Sequence, residues 1–391
     1  MREEGVRQTV LQFGAGNIGR GFMGQVFTEA GYEVVFVDVV PEVVRSLNER
    51  RAYPLQFAGP DRFDRLEVGP VRAVDGRTIP DVARELRDCA FACTAVGVPA
   101  LPHLMPALAA GIQGRSRPLN VILCENQLHC SALVREMLRG RVAPEDLERL
   151  GLVESVVSRM VPVVPEEERK QDPLVVLAED YSRLPGDRNG FLGEIPPVPA
   201  LQPVDNFAAY FDRKLYVHNL GHAVAAYLGY RHGCRYVYEA VGLPAVREQV
   251  IGAMEEAGRA LCRKHGFDPA EMAAHQQDLL RRFGNAALRD TVLRVGRDPV
   301  RKLGPQDRLV GGALTCLDWD VEPGCIVRGI VAALRFDPPE DPGAASIQNV
   351  IREQGVGQAV LQFTGQNPGS ELGRRILDAW EEAEGAGDAR P

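Results

Sequence analysis

The stretch from Thr9 to Asp38 limits the architecture open to this chain more than any other. Thr9 to Phe13 (TVLQF) is a short apolar run, and Gly14-Ala15-Gly16-Asn17-Ile18-Gly19 follows at once. Phe22, Val26, Phe27 and Ala30 then recur at helical spacing up to Gly31. Next comes Glu33 to Val37 (EVVFV), a β-branched run that closes on Asp38. Strand, glycine turn, helix, strand and acid in that order form a cradle for the pyrophosphate of a dinucleotide.

Each residue type has a physical task there. Gly14 permits the tight turn, Gly16 lets the backbone approach the pyrophosphate, and Gly19 lets the helix pack closely. The first helical turn offers unpaired N–H groups to the anion. Asp38 can accept hydrogen bonds from both ribose hydroxyls and would repel a 2′-phosphate. The next residues, Val39 and Val40, bring no cation. The expected cofactor is therefore NAD, held by Gly14, Ala15, Gly16, Asn17, Ile18, Gly19 and Asp38.

Further βα signals follow. Cys89 to Ala95 (CAFACTA) and Leu119 to Cys124 (LNVILC) read as buried strands. Ligands of open parallel sheets lie beyond the carboxyl ends of the strands, where Asp38, Thr94 and Asn126 fall. Asn126 has a second reading as a helix N-cap, since Asn is a favoured cap. The expected fold class is α/β, an N-terminal Rossmann-type doubly wound sheet followed by a mostly α-helical domain. The expected domains are 1–200 for the cofactor and 201–391 for substrate and catalysis.

Bulk properties narrow the partners. A net charge of −8 over 391 residues argues against nucleic acid, which demands a basic excess. A small anionic substrate needs only one local basic pocket. No run of 18 apolar residues suggests a membrane span, and the polar start, Met1 to Gln8, does not read as a signal peptide. The 8 cysteines form no CxxC pair, which reads as free thiols in a reducing cytoplasm. Only the tail after about Glu381 is expected to fray.

From about Pro203 the pattern turns helical. The key segment is Phe211 to Tyr230, FDRKLYVHNLGHAVAAYLGY. At about 100° per residue, with Lys214 at zero, His218 lies near ~40°, His222 near ~80° and Asn219 near ~140°. One arc thus gathers an amine, an amide and two imidazoles, and the other is apolar. Small residues inside the polar arc, Ala225 and Ala226, suggest a face turned toward a cavity. His218 and His222 form an HxxxH pair, but no third ligand accompanies them, so no metal is expected.

The spacing Lys214-x4-Asn219-x2-His222 resembles the signature of the polyol-specific long-chain dehydrogenases, the mannitol dehydrogenase family. FGAGNIGRGF (from Phe13), Cys124-Glu125-Asn126, RKLYVHNLGHAVAAYLG and RVGRDPVRKL (from Arg294) are similar to its phosphate-using mannitol branch. The resemblance runs from about Val10 to Phe336. One departure stands out: where the family carries a Val-Asp-Arg segment, this chain has Val157-Ser158-Arg159-Met160.

The resemblance implies metal-independent oxidation of a secondary alcohol, interconverting D-mannitol 1-phosphate and D-fructose 6-phosphate with NAD. It implies Lys214 as general base. Asn219 and Asn126 would polarise the reacting oxygen, and His222 would hold substrate hydroxyls or orient Lys214. Domain closure would exclude water. The substrate phosphate would need cations, and Arg297, Arg301 and Lys302 are the candidates within the basic run Arg294 to Arg308. A small-molecule sugar phosphate is the expected partner, with no nucleic acid and no membrane, in a cytoplasmic monomer or homodimer. Two rival readings are a hexuronate reductase, in which a carboxylate replaces the phosphate, and a non-catalytic NAD-binding sensor.

Overall fold

The structure, a computed structural model, describes residues 7–59 and 63–385. The chain divides into two compact units, Met1–Tyr210 and Phe211–Pro391. Among the described residues no helix is long and apolar enough to cross a membrane.

Among the described residues the first unit has eleven strands: β1 Thr9–Phe13, β2 Glu33–Asp38, β3 Tyr53–Ala58, β4 Phe63–Val68, β5 Val71–Asp75, β6 Phe91–Thr94, β7 Leu119–Leu123, β8 Leu150–Glu154, β9 Val176–Ala178, β10 Leu184–Asp187 and β11 Leu201–Val204. Six build a parallel sheet in the order β5-β2-β1-β6-β7-β8. The order reverses between β1 and β6, so a crevice opens there at the carboxyl ends. Side chains alternate across the sheet. Val10, Val34, Phe36, Cys93, Ile122 and Val153 face one apolar layer, and Leu11, Phe13, Val35, Val37, Ala92, Val121 and Leu152 face the other. Both faces are thus covered, which is why these strands read as nearly continuous apolar runs. A smaller sheet, β4-β3-β9, and the pair β10-β11 complete the unit. The pairing of β11 with β10 keeps Leu201–Val204 within it.

The second unit is built of helices, the longest Pro244–His265. The central helix, Leu220–Arg231, buries Leu220, Gly221, Ala223 to Tyr227 and Gly229. A helix apolar on nearly every side belongs inside a helical core rather than on its surface. Ala225 and Ala226 are fully buried by neighbouring helices, so their small size serves helix packing and does not mark a cavity-facing surface. The last helix runs a few residues past Glu381, where fraying is expected to begin, and the rest of that tail is outside the described residues. Glu371–Gly385 forms one helix, anchored by buried Leu372, Ile376 and Trp380. Residues 386–391 lie outside the described residues, as does the N-terminal stretch before Arg7.

All eight cysteines are free; five are buried and three partly so.

Candidate active site

In the first unit the candidate residues gather at the turn after β1. Gly14 has φ +91°, and a Cβ there would stand 2.6 Å from the carbonyl oxygen of Ala95. A Cβ on Gly19 would lie 1.9 Å from the oxygen of Gly14, so only glycine lets the helix close on the turn. A Cβ on Gly16 would meet nothing within 4 Å. Gly16 thus faces open space, as the residue nearest a pyrophosphate must.

Asp38, at the end of β2, grips this turn. Its Oδ2 accepts from the Ala15 N–H at 2.7 Å and its Oδ1 from the Val40 N–H at 2.9 Å. The helix then opens with a π-helical stretch, Gly19–Gly24. Such i→i+5 turns loosen the carbonyl ladder, and buried side chains take up the slack. The Tyr53 hydroxyl donates to the Arg20 carbonyl at 2.5 Å, and Arg159 Nη1 donates to the Gly21 carbonyl at 2.9 Å. Arg159 also donates to Gln25 Oε1 and to the carbonyl of Glu179, and burial pushes its guanidinium down to about 10. The arginine of the Val157–Met160 segment is therefore a brace for the glycine-turn helix.

Thr94 ends β6, in register with Phe13 of β1. It is buried, and its hydroxyl has no hydrogen-bond partner among the described residues. A buried hydroxyl without a partner is costly in a folded protein, and this one lies at the sheet's reversal point. Glu125, which sequence reasoning left without a role, accepts from the Val96 and Gly97 N–H groups at 3.1 and 2.7 Å and fixes the turn after β6. Asn126 is not an N-cap. The next helix starts at Cys130, and its first N–H groups are taken by Glu154, which accepts from His129 N and Ser131 N.

In the second unit the candidate residues lie on the helix through Lys214. Lys214–Asn219 is π-helical, and α-helix resumes at Leu220. An i→i+5 turn stacks residues five apart, so Lys214 and Asn219 come one turn above each other. The α-helical wheel had set them ~140° apart because it assumed about 100° per residue throughout. Both are half-buried, and the Asn219 amide makes no hydrogen bond among the described residues.

His222 is stacked on Phe283, with ring centroids 4.8 Å apart and planes within 6°. Its Nε2 lies 3.3 Å from Asp290 Oδ2 without making a hydrogen bond among the described residues. Arg294 clamps the same carboxylate from the other side, with Nε and Nη2 each at 2.5 Å. Burial works to raise the Asp290 carboxyl, but His222 and Arg294 outweigh it and hold it at about 2. Asp290 and Phe283 have no local sequence signal, being remote from His222 in the chain. His218 is buried, and its Nδ1 has no partner among the described residues. Burial first, then the charges of Arg282, His222, Lys214 and His275, hold its imidazole well below the usual range. It is a neutral packing residue 5.8 Å from Phe283.

The three candidate phosphate cations have different surroundings. Arg301 is exposed and clamped by Asp298 at 2.9 Å and Asp307 at 3.0 Å. Lys302 is buried and donates to the Arg297 carbonyl, and burial with Arg308 and Arg301 nearby brings its amine down to about 7. Arg297 is exposed and has no carboxylate partner among the described residues.

Residues 8–198 match the mannitol dehydrogenase Rossmann domain and residues 206–367 the mannitol dehydrogenase C-terminal domain. The chain belongs to the mannitol dehydrogenase family. It is 38% identical over 370 residues to a mannitol-1-phosphate 5-dehydrogenase of Brevibacillus brevis, covering 93% of this chain and 95% of that one. A Bacillus licheniformis protein of the same name is 36% identical, covering 94% of this chain and 98% of the relative. Among solved structures, Pseudomonas fluorescens mannitol 2-dehydrogenase in ternary complex with NAD and D-mannitol superposes with a TM-score of 0.79 at 17% identity, covering 98% of this chain and 93% of that one. A substrate-free D-sorbitol dehydrogenase gives the same TM-score at 16% identity, covering 99% and 96%. These two share the fold of the whole chain.

Proposed function

We propose that this chain is an NAD-dependent dehydrogenase that interconverts D-mannitol 1-phosphate and D-fructose 6-phosphate without a metal. The observation that carries the reading is the widened turn Lys214–Asn219, which stacks an amine and an uncommitted amide beside a histidine backed by a buried carboxylate. The relatives' shared name supports the same substrate class.

The first unit fits a dinucleotide by its own geometry. Gly16 would leave room for the pyrophosphate, Asp38 would meet the ribose from beside the turn that it bonds at Ala15, and the Thr94 hydroxyl lacks a partner among the described residues. Ala15, Asn17 and Ile18 would line the same turn, and Gly14 and Gly19 would hold its shape. When bound, the nicotinamide accepts a hydride in oxidation and returns it in reduction.

In oxidation, Lys214 Nζ takes the proton of the secondary hydroxyl as the C–H bond gives up its hydride. In reduction it gives the proton back. This role requires a neutral amine, a state that burial and like-charged neighbours favour for lysines in general. Asn219 and Asn126 would donate to the developing oxyanion, since amides polarise oxygen without titrating. His222, held by Phe283 and Asp290, would position a substrate hydroxyl or Lys214. Arg297, Arg301 and Lys302 would meet the phosphate, with the exposed Arg297 the least committed of the three.

The test is a steady-state panel of fructose 6-phosphate, fructose, fructuronate and tagaturonate with NADH and NADPH, on wild type and Lys214→Ala. The expected result is strong preference for fructose 6-phosphate and NADH. Lys214→Ala should lose at least about a hundredfold in kcat, the lower range for general acid–base catalysis, while NADH still binds. A loss confined to KM would move the base elsewhere. Equal kcat/KM for fructose and fructose 6-phosphate would remove the phosphate reading, and preference for a uronate would favour the hexuronate rival.

A further inference from the structure

Asp38 has a neighbour that no one-dimensional reading of its own strand end reveals. In the sheet, β5 lies beside β2, and the partner of Asp38 across the ladder is Asp75. Neighbouring strands are about 4.8 Å apart, so two carboxylates sit side by side on this rim. The chain then turns through Gly76, whose N–H donates to the Asp38 carbonyl at 2.9 Å. A Cβ on Gly76 would stand 3.3 Å from Val37 Cγ1 and 3.4 Å from Val39 Cγ1. The turn is thus packed directly on the end of β2, and it delivers Arg77 to the same rim.

Arg77 is a cation one residue beyond the Gly76 turn, and one edge of its guanidinium is already occupied. Its Nε lies 2.9 and 3.1 Å from the two Asp75 oxygens, its Nη2 2.6 Å from Oδ2, and its backbone N–H 2.9 Å from Oδ1. The Nε–Nη2 edge of the fork is taken by one carboxylate, with Nη1 outside the pair, and Arg77, through its side chain and its backbone N–H, holds the Asp75 carboxyl down at about 2. The side chains of Arg77 and Asp75 are 61% and 35% exposed, so the pair does little for stability and a good deal for orientation. The other cation near Asp38, Arg20, is buried and donates to the carbonyls of Ala15 and Pro173. Around this rim Val39, Val40 and Ile79 are exposed, an apolar lip suited to the flat face of an adenine.

We propose that Asp75 is a specificity-determining residue for the dinucleotide, acting by sequestering Arg77. A 2′-phosphate arriving at Asp38 meets two carboxylates and a guanidinium whose Nε–Nη2 edge is already taken. Without Asp75 the fork is released to bind phosphate bidentately. This rests on the reading of Asp38 as the ribose carboxylate.

The experiment is calorimetric titration of NADH, NADPH and adenosine 2′,5′-bisphosphate into wild type, Asp38→Ala, Asp38→Ala/Asp75→Ala and the triple variant with Arg77→Ala. Asp38→Ala should bring the two dinucleotides closer. Adding Asp75→Ala should tighten NADPH and the bisphosphate by about a further tenfold, the scale of one charge-assisted pair, and leave NADH within about twofold. Arg77→Ala should erase that gain. Asp75→Asn, which keeps an acceptor for the Arg77 backbone, should shift affinity in the same direction and guards against a folding defect. An unchanged NADPH affinity on adding Asp75→Ala, or a gain that survives Arg77→Ala, overturns the proposal while Asp38 keeps its role. A wild type that fails to bind NADH overturns both.

Discussion

Asp290→Asn tests the link between an interior ion pair and the proposed catalytic helix. Asp290 is 6% exposed and sits between His222 and Arg294. Its carboxyl falls from 3.8 to about 2 on folding. At about 1.4 kcal/mol per pKa unit, that shift corresponds to roughly 2 kcal/mol of stability. A depressed carboxyl pKa stabilises the fold above the unfolded value and loses that contribution as pH falls through the folded value. The window therefore lies between about pH 4 and pH 2, and about half of the contribution remains at pH 3. The isosteric amide removes the charge and keeps the shape. The chain's 2 tryptophans, Trp319 and Trp380, both belong to the second unit. Urea unfolding followed by tryptophan fluorescence thus reports the part of the chain that holds Asp290. Asn at this position should lower stability by about 2 kcal/mol at pH 6 and by roughly half as much at pH 3. A gap equal at both pH values would refute the pairing as its source. In the same variant kcat should fall by about tenfold or more, because His222 loses its anchor. A kcat within twofold of wild type would show that Asp290 does not position His222.

Two glycines of one turn should respond in opposite ways. Gly19→Ala drives a Cβ into the Gly14 carbonyl and should lower Tm by several degrees, whereas Gly16→Ala, facing open space, should keep Tm and weaken NADH binding by about tenfold or more. Equal melting temperatures for the two variants would contradict the close helix–turn contact. Arg297→Ala should narrow the preference for fructose 6-phosphate over fructose with little change in Tm, while Lys302→Ala should destabilise by about 1–3 kcal/mol because the Arg297 carbonyl loses its donor. An unchanged phosphate preference in Arg297→Ala and Arg301→Ala alike would place the phosphate elsewhere.

Much of the first unit was legible in the sequence because its determinants are local. A parallel strand buried on both faces must be apolar along its length, a tight turn must be glycine, and an acid at a strand end is visible as a letter. Thr9–Phe13, Gly14 to Gly19 and Glu33–Asp38 therefore read directly as strand, turn and strand. The carriers of the candidate chemistry, Lys214, Asn219 and His222, were also visible by spacing. Their arrangement was not, because an α-helical period assigns each residue a fixed angle, and the turn Lys214–Asn219 abandons that period.

What only the tertiary structure decided are the pairings made across large sequence separations. Phe283 and Asp290 pack beside His222, Glu125 pins the turn at Gly97, Arg159 braces the Gly19–Gly24 stretch, and the ladder sets Asp75 beside Asp38. The basic run Arg294 to Arg308 differs, because Asp290, Asp298 and Asp307 lie within four residues of the arginines they hold, and only the fold shows which of them meet. In sequence it is a block of charge, and in the fold Arg294, Arg301 and Arg308 are each held by a carboxylate. A side chain's identity is written in the chain, but whether its charge is free, spent or buried depends on what the fold brings within a few ångströms, where both Coulomb attraction and desolvation are decided.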